Sequence, residues 1–267
     1  MNNARFWGAI GSAMVVLLAP GQAAAQDEEG PRRTRVGLGV QLVPSFPGSG
    51  EVSVRPLFDL ARTRGDRPYE FEAPDESFGF PVLRAGKFAF GPAIGFEGER
   101  DAADVGANLP DVDFTFEVGG FVQYSLSDAL RARIEVRKGL GGHDGLIGTV
   151  GFDFIQRDGN DWLISVGPRL TLADHNYNAA YFSVASQDAA ASGLPAYTAE
   201  GGAQAVGMVI GYTRQLSSRW GIYSYAKYDR LIGDAAESPI VRQLGSRDQF
   251  SGGLAVTYTF GRRAERD

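Results

Sequence analysis

The segment 129–138, ALRARIEVRK, has the densest alternation of side chains that can hold or move charge. Its ionic groups occupy every second position and apolar groups lie between them: Arg131, Arg133, Glu135 and Arg137 against Leu130, Ala132, Ile134 and Val136. A period of two places the two sets on opposite faces of a β-strand. We therefore predict one charged face and one apolar face for this strand.

More ionic groups fall on the polar faces of later alternating segments: Asp153, Arg169, Lys227 and Asp229. If these segments form one closed sheet with the polar face inward, all of these groups line its interior. They are then the candidate binding residues of a charge-lined lumen, which is what a small porin or solute channel would use.

Both histidines of the chain lie beside an aspartate, His143 before Asp144 and His175 after Asp174. A histidine with a carboxylate can serve as the general base of a hydrolase, but it also needs an oriented partner and a nucleophile within reach. The sequence indicates neither, so we predict loop hydrogen bonds at these positions, no catalytic residues and no enzyme activity.

A cluster of acidic residues precedes this region: Asp101, Asp104, Asp111 and Asp113. Their spacing matches no calcium-binding loop, so we predict a solvated acidic loop, no metal site and no cofactor. The formal net charge of −6 and the scattered Lys and Arg residues exclude the clustered basic face that nucleic-acid binding requires.

The first residues predict export. Arg5 precedes the uncharged run GAIGSAMVVLLAP, and Ala23 and Ala25 supply the small residues of a cleavage site. We predict a signal peptide over residues 1–25, cleaved after Ala25. The mature part then divides into a β domain, 26–260, and a short extension, 261–267. The absence of cysteine excludes disulfides and a lipidated cysteine anchor.

Alternating segments fill the mature chain, separated by links that are short and long in turn. The short links lie at 62–66, 84–86, 127–128, 157–160 and 217–218, and the long ones at 44–51, 98–112, 139–145, 174–203 and 232–247. Short turns at one end of a sheet and long loops at the other are typical of outer-membrane barrels. We predict an all-β, antiparallel transmembrane β-barrel of about twelve strands, which requires 67–83 to divide at 74–76 into two short strands.

The length of the alternating runs, about 10 to 13 residues, favours tilted strands that cross a bilayer over the shorter strands of soluble domains. Outer-membrane lipid is then a partner of the apolar face, including Leu254, Val256, Tyr258 and Phe260 of the last strand. Large side chains on the polar face predict a partly packed lumen: Leu57, Phe121, Ile147 and Val209.

Two loop sequences resemble the MipA/OmpV family. These are YFSVASQDAAASGLPAYTAEGG at 181–202, with Ser183 in place of the family's Gly, and LIGDAAESPIV at 231–241, with Glu237 in place of Asp. GGHDG at 141–145 and PSFPGS at 44–49 also fit. The resemblance implies a barrel of the cell outer membrane. The member that gives the family its name is a scaffold for a lytic murein transglycosylase and a murein synthase, and other members are linked to osmotic response, adhesion or antibiotic susceptibility. We predict the scaffold role for this chain. A channel and a rim-active hydrolase remain as alternatives.

Overall fold

The computed structural model describes residues 30–261 and contains one twelve-stranded antiparallel sheet. The predicted signal peptide and cleavage site lie outside the described residues, as does the predicted extension beyond Gly261. The strands are β1 Arg32–Pro44, β2 Val52–Arg64, β3 Phe78–Gly79, β4 Leu83–Ala85, β5 Phe88–Glu97, β6 Thr115–Ser127, β7 Leu130–Gly141, β8 Leu146–Asp158, β9 Trp162–Ala173, β10 Gly202–Gln215, β11 Trp220–Leu231 and β12 Asp248–Phe260.

The sheet follows the chain order with the last strand beside the first. Its order is β2-β1-β12-β11-β10-β9-β8-β7-β6-β5, and both β3 and β4 pair with the free side of β5. The sheet is curled, which brings Arg55 of β2 close to the end of β5. A Cβ on Gly98, the residue after β5, would lie 2.6 Å from the Arg55 guanidinium. The predicted antiparallel all-β barrel is confirmed.

The wall has its apolar groups on the outside. Along β1, Leu38 and Val40 are 63% and 61% exposed, and along β12 Leu254 and Val256 are 56% and 53% exposed. Ala255, between Leu254 and Val256, points inward and is 1% exposed. This is the inverse of a soluble sheet, and it forms the apolar belt expected of a lipid-facing barrel.

Aromatic pairs border the belt at both ends. Trp220 and Tyr258 have ring centroids 4.8 Å apart, and Phe260 lies a further 4.8 Å from Tyr258, all at the end with short turns. Tyr228 and Phe250 form a pair at the other end, with centroids 4.9 Å apart. Amphipathic and aromatic rings at these levels suit the two membrane–water interfaces.

The helices of the described residues all lie in the long links: α1 Ala102–Val105, α2 His175–Phe182, α3 Ser186–Ser192, α4 Gly233–Glu237 and α5 Pro239–Gln243. We call these links together the outer cap. They bury an ordinary apolar core that includes Tyr181, Phe182 and Ile240, each at most 1% exposed. None of these helices is long and apolar enough to cross a membrane.

One segment differs from the expected strand pattern. The sequence predicts two short strands over 67–83, divided at 74–76, but residues 67–77 form no strand and both β3 and β4 lie after them. We call residues 66–77 the inner segment, because their side chains and carbonyls contact inward-facing residues of β7, β8, β9 and β11. Strand β3 begins directly after the inner segment.

The inverted wall makes a prediction about single charges on its outer face. Leu254→Arg, near the middle of β12, should lower the free energy of unfolding by about 2–4 kcal/mol, because a cation there meets hydrocarbon. Phe260→Arg, at the end of the same strand, should lower it by at most about 1 kcal/mol. Reversible urea unfolding in phospholipid vesicles measures both, and equal losses would contradict the assigned belt.

Candidate functional site

The inner segment leaves β2 through a tight turn and ends at another. The Arg67 N–H donates to the Arg64 carbonyl at 3.2 Å, and Gly65 within this turn has φ +53°. At the far end the Glu76 N–H donates to the Ala73 carbonyl at 3.1 Å. Positive φ at the first central residue is typical of the two-residue turns that join hairpin strands.

Asp75 at the second turn ties the inner segment to two wall strands. Its carboxylate lies 2.9 Å from Arg169 Nε on β9 and 3.5 Å from Lys227 Nζ on β11. Arg169 also reaches Asp153 at 2.7 Å, and Lys227 reaches Asp229 at 2.9 Å. Two cations of the wall therefore neutralise this one carboxylate.

Glu76 neutralises a second group of cations on β7. It pairs with Arg131 and lies 3.6 Å from Arg133, while Arg131 also binds Asp153 at 2.7 Å. Arg133 continues the chain of charges to Glu135 at 2.6 Å. All four side chains are at most 11% exposed: Arg131, Glu76, Asp153 and Arg133. These are therefore desolvated ion pairs.

The network extends upward along β7 to the outer cap. Arg137 pairs with Glu135 and lies 2.7 Å from Glu117 on β6. Glu117 in turn lies 3.1 Å from His143 Nε2. Each inward-facing cation of this row therefore has a carboxylate partner, and the row is continuous from Asp153 to His143.

The start of the inner segment is held through Tyr69. The guanidinium groups of Arg33 and Arg35 lie 5.4 and 5.1 Å from its ring centroid, within reach of a cation–π interaction. Its carbonyl accepts from Arg157 at 2.9 Å, and its N–H donates to Asn160 at 2.8 Å. Side chains from β1, β8 and the β8–β9 turn thus converge on one residue.

A small cavity lies in the lumen beside the inner segment. It has a volume of about 20 Å³ and is lined by charged groups of this segment and of β7, β8 and β9, including Asp75, Glu76 and Arg169. Such a volume holds about one water molecule. Apolar groups on the polar face add to the packing, since Leu57, Phe121 and Val209 are at most 7% exposed and Arg133 lies 3.6 Å from the Phe121 ring centroid.

The charged residues singled out from the sequence all enter this network: Arg131, Arg133, Glu135, Arg137, Asp153, Arg169, Lys227 and Asp229. Their partners Asp75 and Glu76 were missed because the pattern placed them in a connecting turn. Glu117 was also missed as a site residue, although its inward parity in β6 is visible in the sequence. Whether any of these groups binds a solute stays a proposal.

His143 is enclosed and both ring nitrogens are engaged. Nε2 faces Glu117 at 3.1 Å, and Nδ1 accepts from the Gly145 N–H at 3.3 Å. The ring is 1% exposed and packs against Tyr177 at a centroid distance of 4.7 Å. The arrangement fits a structural link between wall and cap, and it leaves no ring nitrogen free to act as a general base.

The other candidate groups also make local contacts. His175 Nδ1 faces the Ala199 carbonyl at 3.1 Å and Glu200 at 3.2 Å. In the acidic loop, Asp111 accepts from the Ala102 N–H at 2.9 Å and Asp104 accepts from the Asp101 N–H at 3.3 Å. Among residues 30–261, no group of three His, Asp or Glu side chains could hold a metal ion.

The two loop sequences that carried the resemblance pack on each other in the outer cap. Ser238 Oγ donates to the Phe182 carbonyl at 2.7 Å, and Tyr197 donates its hydroxyl to the Asp234 carbonyl at 2.9 Å. The Glu200 N–H donates to Asp234 Oδ2 at 2.8 Å. These two segments therefore form adjoining parts of the cap.

Comparison with known proteins yields a family and a set of solved structures. The family model described as MltA-interacting protein MipA matches residues 36–260. No curated protein matches the chain.

The solved structures similar to this chain include three outer membrane proteins. A channel from Pseudomonas putida F1 has 11% identity over 91% of this chain and 100% of that chain, with a TM-score of 0.37. A loop deletion mutant of OmpT from Vibrio cholerae has 7% identity over 86% and 98%, with a TM-score of 0.37. OprG from Pseudomonas aeruginosa has 9% identity over 87% and 97%, with a TM-score of 0.30. The fold itself is established by the strand pairing and the apolar belt.

The network makes a prediction about stability. Arg169→Gln removes a cation that two buried carboxylates share, so it should lower the free energy of unfolding by about 3–5 kcal/mol. Arg84→Gln is the matched control, because the Arg84–Glu70 pair is 58% and 40% exposed and should contribute less than about 1 kcal/mol. Urea unfolding in vesicles gives both values, and a small loss for Arg169→Gln would contradict the desolvated network.

Proposed function

Because this chain belongs to the MltA-interacting protein MipA family, we propose that it is a non-enzymatic scaffold for murein-remodelling enzymes. The protein itself is an outer-membrane β-barrel protein. The first partner that we propose is a murein transglycosylase, as the family description suggests, and the second is a murein synthase. The partner binds at the end of the barrel that faces the murein.

The pairing of the interior charges is the observation that best supports this role. Asp75 and Glu76 neutralise Arg131 and Arg169, and the space left beside them is about 20 Å³. A wall whose interior charges are paired with its own chain has little free charge to offer a passing solute. With its interior charges paired in this way, the protein acts by binding partners at its outer surfaces.

The short turns are the surface that we assign to the partner. They join strands at the end opposite the outer cap, which is the periplasmic end of a barrel with this distribution of loops. Asp128 and Arg219 are exposed in the β6–β7 and β10–β11 turns. Both termini of the described chain, Gly30 and Gly261, lie at the same end, next to Gly65 and Arg32.

The engaged ring nitrogens of His143 support the non-enzymatic part of the proposal. His175 is half exposed, but its contacts are the Ala199 carbonyl and the Glu200 carboxylate, not a hydroxyl. Neither histidine thus has the oriented nucleophile that a hydrolase requires.

The scaffold role predicts capture of a purified murein transglycosylase by the folded barrel in detergent. Asp128→Lys combined with Arg219→Glu should weaken capture about tenfold, because charge reversal at a contact surface disfavours association. Quantitative pull-down at two salt concentrations, with folding checked by the mobility shift between boiled and unboiled samples, gives the measurement.

A matched control reverses an exposed pair on the outer cap. Glu237→Lys with Arg242→Glu exchanges the charges of two exposed residues that lie 3.2 Å apart, and Glu237 also lies 2.8 Å from Arg247. Capture should be unchanged in this variant. If the folded wild-type protein retains neither the transglycosylase nor the synthase, the scaffold role is wrong; if only the cap variant loses capture, the assigned face is wrong.

A further inference from the structure

The wall contains a gap that its own chain can fill. Within residues 30–261, the sheet order ends at β2 on one side and at β3 and β4 on the other, and no strand pairing joins these two edges. We call the gap between these edges the seam. Unpaired backbone groups at membrane depth each have an unfavourable free energy of several kcal/mol, so an open edge there calls for a partner.

The direction of the edges identifies what fits. In the order from β2 through β1 and β12 to β5 and β3 there are eleven strands and hence ten antiparallel steps. Ten reversals restore the original direction, so β2 and β3 run the same way. A single strand placed between them with the opposite direction would pair antiparallel with both edges.

The inner segment has this direction and is joined to both edges. It follows β2 after the turn at Gly65 and Asp66 and precedes β3 after the turn at Pro74 and Asp75. Both turns already have two central residues and the carbonyl-to-amide hydrogen bond that closes them. The chain is thus arranged as two consecutive hairpin turns whose shared arm, residues 67–73, is displaced into the lumen.

The alternation of residues 67–73 matches β2. Extending the first turn as a two-residue hairpin places Phe71 opposite Leu60 and Ala73 opposite Phe58. Leu60 and Phe58 are 48% and 59% exposed on the lipid side. In the same register Glu72 faces inward, opposite Asp59, which is an inward residue paired with Arg35.

The alternation matches the other edge as well. Extending the second turn places Phe71 opposite Phe78 and Tyr69 opposite Phe80, both of which are more than 60% exposed on the outer face. Tyr69, Phe71 and Ala73 of the arm therefore have the apolar-outward parity of both neighbours, with Glu70 and Glu72 inward, and Glu76 at the close of the second turn has the outward parity of Phe78. A one-residue slip would reverse every side chain, so this agreement on both sides is specific.

Two prolines weaken the pairing of this arm with the edge of the sheet. Pro68 of the arm and Pro81 between β3 and β4 have no N–H to donate, and the second register places them opposite each other. Proline in a sheet is confined to edges and irregular positions, so the arm pairs weakly near the short-turn end. The ion pairs of Asp75 and Glu76 stabilise the competing position in the lumen.

We propose that residues 67–73 are an exchangeable wall strand, and that their transfer from the lumen to the seam opens a path through the barrel for small, strongly polar solutes. The path then has Arg131, Arg133 and Arg169 on one side, where Asp153 and Glu135 remain their partners. On the other side it has the carboxylates Asp59, Glu70 and Glu72. Opposed charges across a narrow lumen suit hydrated solutes that carry separated charges. This activity goes beyond the scaffold role and does not depend on it.

Cysteine cross-linking tests the exchange, because the chain has no cysteine of its own. Leu60→Cys with Phe71→Cys reports the seam position: Leu60 is on the lipid side, whereas Phe71 now lies inside, with the Arg131 guanidinium 4.4 Å from its ring centroid. We expect this pair to form a disulfide in membranes. Leu38→Cys with Phe71→Cys is the control, since Leu38 lies one strand further away, opposite Phe58, and should not react.

A second pair fixes the inner position. A Cβ on Gly211 would lie 3.0 Å from Pro74 Cγ, so Gly211→Cys with Pro74→Cys should bridge the inner segment to β10. In planar bilayers the oxidised Pro74–Gly211 pair should lose all channel openings and regain them with reductant. The oxidised Leu60–Phe71 pair should conduct steadily and admit glycine into vesicles in a swelling measurement.

The outcomes separate this proposal from the scaffold role. Failure of Leu60→Cys with Phe71→Cys to cross-link in heat-modifiable, folded protein overturns the exchange. Cross-linking without any conductance overturns the solute path. Should the double cysteine variants not fold, Asp75→Asn with Glu76→Gln replaces them: it should increase the open time of single channels, and an unchanged open time overturns the proposal. Transglycosylase capture can succeed or fail in either case.

Discussion

Charge enclosed within a lipid-embedded wall needs an opposite charge within reach, and this requirement organises the interior of the protein. The inward faces of β7, β9 and β11 carry four cations that have little contact with solvent: Arg131, Arg133, Arg169 and Lys227. Burial of an isolated cation raises its free energy by several kcal/mol, whereas the attraction of a paired carboxylate can offset most of this desolvation penalty. Because the wall supplies too few carboxylates at this level, the inner segment brings Asp75 and Glu76 to these cations.

The wall and the outer cap of this protein arrange their apolar groups in opposite ways. In the wall they point outward to lipid, as at Leu254 and Val256, while in the outer cap they point inward, as at Tyr181 and Phe182. The junction between the two arrangements is polar: Glu117 of β6 contacts both Arg137 in the lumen and His143 beneath the cap. A change at this junction therefore acts on both the charged row and the cap.

The parts of this architecture that depend on local periodicity were predictable from the sequence, and the parts that depend on distant contacts were not. Strands such as β7 and β12 follow from alternation alone, because one face of each is free of charge except at Lys138 and Asp248 near the outer cap. The cap was beyond prediction, since its core joins residues such as Phe182 and Ser238 that are far apart in the chain. Asp75 resembles an ordinary turn residue until Arg169 and Lys227 are placed beside it in three dimensions.

Residues 67–73 are the place where sequence pattern and structure disagree, and the disagreement has a physical meaning. Their period of two is that of a wall strand, with Tyr69, Phe71 and Ala73 on one side, yet they lie in the lumen. Most segments of a natural protein agree with their surroundings at every level, and conflicts concentrate at functional or strained positions. In the exchange that we propose, two sets of interactions compete for one short segment: ion pairs with buried cations on the inside, and backbone pairing with two open edges in the wall. Such a segment can change position when either the lumen position or the seam position is stabilised, while the surrounding strands stay as they are.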